Sequence, residues 1–351
     1  MRAWRVLVCT AFFLCANADA QSVNIGVLGI FRPTELTLSP AGKQDLLISI
    51  AGRKIFVATG SGCRALQIRI AGDALLASCG KEDLRAKEIR ATSRNQDAAD
   101  FVLTIPGKIK RNYRGTLEVI ARNGVLIPIV EMDLETAVGS VVRAEMTEDT
   151  PSEALKAQAV ATRSYFVASG TRHAEFDFCD LTHCQFLREP PAAGTPAAKV
   201  AEETRGMILT YNGKPVAAMF TRSCGGHTLT PPEIGLAASG YPYFSVICDF
   251  CYKNPIKWTR RVSPEDAALL RTGENGRLSI GRRLGWDAVP SDKFTAHEEG
   301  GQVVLEGFGQ GHGIGLCQRG ARAMAENGAT FREILEHYFP NTKIESERAN
   351  L

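Results

Sequence analysis

Apolar and polar residues alternate, or run apolar in short blocks, over 23–30, 45–50, 54–59, 65–70, 101–105, 115–121 and 125–130. Period-two patterns of this length, bounded by Gly, Pro and polar residues, predict strands. Gly52, Gly60-Ser61-Gly62 and Asn123-Gly124 supply turn chemistry between them. Asn-Gly is the pair that a tight hairpin turn needs, because both positions take positive φ. Residues 21–109 therefore read as a β-rich region. It contains no cluster of titratable side chains, as expected of a scaffold or binding module.

The period changes near Asp133. Leu134, Ala137, Val138, Val141 and Val142 recur at helical spacing, and Glu145 lies at the end of that run. A second helix has start signals: Thr150 as N-cap, Pro151 at the first helical position and Glu153 completing a T-x-x-E capping box. Leu155, Ala159 and Phe166 form its apolar stripe, and Ala154, Ala157 and Ala161 permit close helix packing. Arg163, in its second half, suits a solvated face, a pair with Glu145 or a substrate contact. Strands are expected on either side of Asn212-Gly213. The glycine-dense stretch 309–320 turns helical through 322–326 and stops at Asn327-Gly328. Thr330 and Glu333 make another capping box, for a helix reaching Tyr338, and the charged tail from Lys343 is expected to fray. The fold class is α+β: a β-rich N-terminal region, then a mixed helix and sheet domain over 110–343, with 344–351 as tail.

The first twenty residues stand outside this pattern. Arg2 and Arg5 precede an apolar run, and Ala18-Asp19-Ala20 offers an A-x-A site. These are the parts of a secretory signal peptide, and the run is too short to span a bilayer. No later segment is long and apolar enough for a transmembrane helix, so the expected location is outside the cytosol, in the periplasm or cell envelope. A formal net charge of +3 across 351 residues makes no electrostatic case for nucleic acid. Eight cysteines follow the leader, and export makes disulfides their default use. Cys63 and Cys79, flanking a strand, are a candidate pair.

The densest chemistry lies between 143 and 185. His173, Cys179, His183 and Cys184 are spaced H-x5-C-x3-H-C. Two thiolates and two imidazoles satisfy tetrahedral zinc, and four protein ligands close its shell, which makes such an ion structural. A Cys179–Cys184 disulfide with bystander histidines is the other reading. Glu145 suits a general acid if it is partly desolvated, since burial raises a carboxyl pKa. Glu148, Asp149 and Glu153 compete for that role, although Glu153 already has a use as a cap. His312 sits within Gly309–Gly320, where glycines let backbone approach a ligand, and is a binding candidate. Cys248-x2-Cys251 admits a metal half-site, a redox pair or a disulfide involving Cys224.

Several runs taken together are similar to the SpoIID/LytB family. They are E-M before E-A-L-K-A-Q-A-V-A-T-R-S-Y, then C-D-x-T-H-C-Q, G-K-P-V-A-A, S-C-G-G-x-T, G-H-G-I-G-L-C-Q-R-G-A and H-Y-F-P-N-T, in the family's order over about 110–343. Arg111–Val119 also looks family-like. The resemblance implies a peptidoglycan protein. SpoIID-like members are lytic transglycosylases that cut between N-acetylmuramic acid and N-acetylglucosamine and prefer strands stripped of stem peptides. LytB-like members are amidase enhancers, so binding without cleavage is the alternative, with a cell-wall amidase as partner. A zinc-dependent hydrolase is a third reading.

Residue by residue, the resemblance makes Glu145 the catalytic acid. It matches Gln158 and Arg163 to residues of the family's helix, and puts Gln318 beside the binding groove with His312. It assigns zinc to His173, Cys179, His183 and Cys184. Two departures stand out: Cys224 and Cys317 replace serines usual in the family, and Arg319 replaces a common aromatic.

Overall fold

The computed structural model describes residues 21–346, apart from 236, 238–240 and 271–275. The expected leader and the end of the tail lie outside the described residues. Eleven strands come first: β1 (Ser22–Gly26), β2 (Glu35–Pro40), β3 (Leu46–Ile50), β4 (Arg53–Val57), β5 (Leu66–Ala71), β6 (Ala74–Cys79), β7 (Glu82–Ala86), β8 (Glu88–Ser93), β9 (Ala99–Ile105), β10 (Ile109–Arg122) and β11 (Val125–Asp133). With the short β12 (Phe178–Cys179) they make one twelve-stranded sheet. Asn123 and Gly124, at φ 50° and 74°, close the β10–β11 hairpin with Arg122 opposite Val125. The disulfide Cys63–Cys79 ties the approach to β5 to the end of β6 across a Cα separation of 5.4 Å. Closing a loop of that size restricts the unfolded chain by about 3 kcal/mol.

The boundary expected at 109/110 falls inside a strand. β10 pairs with β9 along Ile109–Gly115 and with β8 along Leu117–Ile120, so it belongs to two parts of the sheet at once. At the changeover Gly115 has φ 151°, and a Cβ there would run into the Glu131 carbonyl. β1 pairs with β11 and, in parallel, with β12. The N-terminal strands are therefore continuous with the segment that bears the His/Cys cluster.

Helices α1 (Leu134–Glu145) and α2 (Ser152–Ser169) lie against this sheet. Asp133 caps α1, its carboxylate accepting from Thr136 N at 3.1 Å. The capping box expected at Thr150 does not form. Pro151 is the N-cap of α2, with no side-chain cap bond, and the Thr150 hydroxyl pairs with that of Thr147. Glu153 instead accepts from Lys156 and from the backbone N–H of Phe331, at the start of another helix. α2 is buried on two faces. Leu155, Ala159, Tyr165 and Phe166 join the core of the sheet, while Ala154, Ala157, Val160 and Ala161 join a second core. A helix with core on both sides shows little amphipathic contrast.

Helix α3 (Pro196–Glu203) adds Ala197, Val200 and Ala201 to the core of the sheet. The second core is assembled along β13 (Met207–Tyr211), the stretch after β14 (Lys214–Pro215), β15 (Phe220–Thr221), α4 (Asp249–Lys253), and later β19 (Leu316–Cys317), α7 (Gln318–Glu326) and α8 (Phe331–Tyr338). Between these come β16 (Lys257–Val262), α5 (Pro264–Leu269), α6 (Gly276–Leu284), β17 (Phe294–Glu299) and β18 (Gln302–Phe308), around a small core of Trp258, Val262, Ile280 and Leu305. The expected hairpin at Asn212-Gly213 joins β13 to β14, and Thr330 with Glu333 forms the expected capping box of α8. The tail was expected to fray from Lys343. Instead β20 (Lys343–Ser346) pairs with β13, Leu209 opposite Ile344, because β13 offers it an open edge.

Candidate active site and metal centre

Glu145 is the last residue of α1, after which Met146 turns into extended backbone. A carboxylate at a helix C-terminus faces the negative end of the macrodipole. The residue is half-buried, and desolvation is the main cause that raises its pKa above the ordinary carboxyl value. A hydrogen bond from Gln318, then the charges of Arg222 and Arg188, act in the opposite direction. Burial wins, so the proton is held to higher pH than on a free side chain.

Three of the expected site residues meet here from three separate motifs. Gln318 Nε2 donates to Glu145 Oε2 at 3.3 Å and to Gln158 Oε1 at 3.3 Å, and Gln158 Nε2 donates to Thr162 Oγ1 at 3.2 Å. Gln158 is fully buried, so it serves as a strut behind Gln318 and meets no substrate directly. Gln318 is the first residue of α7. It is delivered by the parallel pairing of β15 with β19, Thr221 opposite Cys317. Gly309, Gly311, Gly313 and Gly315 before it all have positive φ, and a Cβ on Gly309 or Gly315 would strike the carbonyls of Ser223 and Met219. The glycine-dense stretch thus lets two backbones lie close enough to bring Gln318 up to Glu145.

Arg163 goes elsewhere, contrary to its expected role in binding substrate or Glu145. It is fully buried and pairs with Glu135, Nε to Oε1 at 2.9 Å and Nη2 to Oε2 at 2.5 Å. It also donates to the carbonyls of Ala201 and Met207. It joins α1, α2, α3 and β13 and is out of reach of any glycan. His312 is half-buried, its Nδ1 accepting from Ile314 N at 3.1 Å. Burial, with the charge of Arg277, lowers its pKa to about 4, so it is neutral at pH 7. It has no hydrogen bond to the Glu145–Gln318–Gln158 chain. Glu148 is exposed and lines a separate cleft of about 380 Å³ with Arg114, Arg143, Pro190 and Thr195. Asp149 is exposed and paired with Arg322 at 2.9 Å.

Two cations near the acid were not singled out from the sequence. Arg188, packed over the Phe186 ring at 5.0 Å, and Arg222 are both exposed and both act on Glu145. Each follows a family-like motif, which was the available signal, but isolated arginines ordinarily mark solvated surface.

The second set of expected residues also converges. One ligand atom each of His173, Cys179, His183 and Cys184 lies within 4.8 Å of all the others. His173 Nε2 is 3.3 Å from Cys184 Sγ, and His183 Nδ1 is 3.5 Å from Cys184 Sγ and 3.8 Å from Cys179 Sγ. Bonds of about 2.1 and 2.3 Å to a tetrahedral zinc put N and S about 3.6 Å apart, so these spacings fit one ion. Cys179 and Cys184 are free thiols. The adjacent Asp180 fixes the loop: its carboxylate accepts from Leu28 N at 3.1 Å and pairs with Arg111 at 3.2 Å. This buried pair explains why the Arg111 segment belongs with the rest.

An α+β domain with a desolvated acid at a helix end and a separate His/Cys knot is the class defined by this geometry. The family model described as Stage II sporulation protein (SpoIID) matches residues 122–211. An uncharacterized protein of Brachyspira hyodysenteriae is 30% identical over 267 residues, covering 66% of this chain and 72% of its own. Stage II sporulation protein D of Bacillus subtilis is 28% identical, covering 64% of this chain and 77% of its own. The amidase enhancer of Bacillus subtilis is 25% identical over 59% of this chain, but only 40% of its own length. The chain belongs to the SpoIID/LytB family.

Proposed function

We propose that the protein is a peptidoglycan lytic transglycosylase of the cell envelope, with Glu145 as its single acid and base. The supporting observation is the desolvated Glu145 carboxyl held by Gln318, with no second carboxylate among the groups that act on it. Protonated Glu145 donates to the glycosidic oxygen between N-acetylmuramic acid and N-acetylglucosamine as the C1–O bond breaks. The muramic C6 hydroxyl closes on C1, its proton passes to the Glu145 carboxylate, and a 1,6-anhydro end forms. The acid is regenerated and no water is consumed. Hydrolytic glycosidases, in contrast, use two carboxylates flanking the bond. Arg222 and Arg188, exposed at the rim, suit the carboxylate-bearing lactyl or peptide groups of the strand. Incubation with purified glycan strands tests the reading: soluble fragments are expected.

The relative named amidase enhancer supports a second reading, a wall-binding module that activates an amidase. No fragments from strands, together with faster amidase turnover when the protein is added, would favour it.

His173, Cys179, His183 and Cys184 are proposed to hold a structural zinc. Four protein ligands leave no position for water, and the ion would knit the 173–184 loop to β1 and α2. Cys179→Ser is expected to lower zinc content and melting temperature together, as closed structural sites couple binding to folding. A Cys179–Cys184 disulfide found by mass spectrometry of the native protein would refute the assignment.

Gln318→Leu tests the polar chain. Its amide lowers the Glu145 pKa, so removing it raises that pKa further. Activity requires protonated Glu145 and is lost as pH rises through its pKa. The basic limb of the pH–rate profile should therefore move to higher pH, while the maximal rate falls because the acid loses its orienting donor. An unmoved basic limb would show that Gln318 does not act on the acid.

A further inference from the structure

Cys224, the Cys248/Cys251 pair and Cys317 come from three distant points in the chain and meet in the second core, each at most 2% exposed. Their four sulfurs lie within 4.8 Å of one another, and Cys251 Sγ is 3.6 Å from Cys317 Sγ. All four are free. A disulfide needs sulfurs about 2.05 Å apart, whereas sulfurs at the corners of a zinc tetrahedron with bonds of about 2.3 Å stand about 3.8 Å apart. The observed spacing is that of the tetrahedron.

The surroundings are those of thiolates. Three of the sulfurs lie against hydrogen-bond donors: Tyr338 Oη reaches Cys248 Sγ at 3.3 Å, the Cys224 backbone N–H reaches Cys317 Sγ at 3.4 Å, and the Ser223 hydroxyl lies 3.5 Å from Cys251 Sγ. Cys317 is also the N-cap of α7, where the macrodipole favours negative charge. Lys293 Nζ, 3.4 Å from the Gly225 carbonyl, adds a cation beside Cys224. Gly320 has no side chain to obstruct this packing; a Cβ there would strike Tyr338 Oη and Cys248 Sγ. Outer groups that donate to ligand sulfurs orient them and offset their charge.

We infer that Cys224, Cys248, Cys251 and Cys317 form a second, four-cysteine zinc site, separate from the His/Cys knot. Cys248 and Cys251, at the start of α4, provide one half, and Cys224, just after β15, with Cys317, the end of its partner strand β19, provide the other. Its place gives it a task. Cys317 directly precedes Gln318, so the ion fixes the start of α7 and with it the donor to Glu145; this task, unlike the site, rests on Glu145 being the acid.

The test is metal stoichiometry of the mature chain, purified without chelator, with cysteine alkylation read by mass. Two zinc ions per chain and one disulfide, Cys63–Cys79, are expected. Cys251→Ser should remove one zinc and leave the other, while Cys179→Ser should remove the ion of the His/Cys knot. One zinc that is lost with Cys251→Ser but kept with Cys179→Ser would still support this site and remove the other. One zinc that survives Cys251→Ser overturns the inference. So does a disulfide among Cys224, Cys248, Cys251 and Cys317 in the wild-type chain, a readout that holds even if the variant fails to fold.

Discussion

Glu145→Gln is expected to lower strand cleavage by about 10²–10⁴-fold, the contribution of a positioned general acid, while leaving strand binding intact. The amide keeps the shape of the carboxyl and can still accept from Gln318, but it has no proton to give. A second signature accompanies the loss. Because the folded pKa of Glu145 is raised above its unfolded value, the native state is penalised as pH rises through the raised pKa and not below the unfolded value of about 4.3. The variant escapes that penalty. Its melting temperature should match the wild type at low pH, pull ahead of it as pH rises from the unfolded value through the raised one, and keep a constant lead above that. Turnover within tenfold of wild type would move the acid elsewhere. Glu148 is the alternative carboxylate, although it lines a different cleft, so Glu148→Gln should retain nearly full activity.

The largest effect on stability is expected from Arg163→Met. Removing one partner of a buried pair leaves the other charge uncompensated and costs about 3–5 kcal/mol. Among the described residues Glu135, 9% exposed, would keep the Gly206 N–H at 3.2 Å as its hydrogen-bond donor, with Arg205 as the remaining cation that acts on it. In a chain of this size each kcal/mol moves the melting temperature by about 1–2 °C. The double variant Arg163→Met/Glu135→Leu should recover part of the loss, because the stranded charge is gone. Unchanged melting with weakened strand binding would return Arg163 to the groove.

The contrast between Arg163 and Glu145 shows how far the sequence was legible. Helix α1 was readable because its apolar residues recur at helical spacing from near Asp133, so the position of Glu145 at its end followed. The convergence of His173, Cys179, His183 and Cys184 was readable because they lie within a dozen residues. The strands β2, β6, β7 and β8 were not predicted, since Glu35–Pro40 and Glu82–Ala86 carry prolines or charges and hold their places through neighbouring strands. Arg163 was misplaced because nothing local distinguishes a solvated arginine from one whose partner, Glu135, lies 28 residues away on another helix. Thr150 and Glu153 matched a capping box, but Glu153 found a better use on Phe331 N, a contact 178 residues distant. The four-cysteine cluster was open for the same reason: only Cys248 and Cys251 are neighbours in sequence, and the rest depends on the β15–β19 pairing.

The central claim, one acid and capture by the sugar's own hydroxyl, is tested most directly by the ends of the product strands. Glycan strands, intact and amidase-stripped, are digested and the fragments weighed before and after borohydride. A 1,6-anhydro end is lighter than a hydrolytic reducing end by one water, about 18 mass units, and borohydride adds about 2 units only to the reducing end of the two-carboxylate route. The account predicts borohydride-resistant ends about 20 units below the reduced hydrolytic product, with more cutting of stripped strands. Reducing ends that take up borohydride would contradict it.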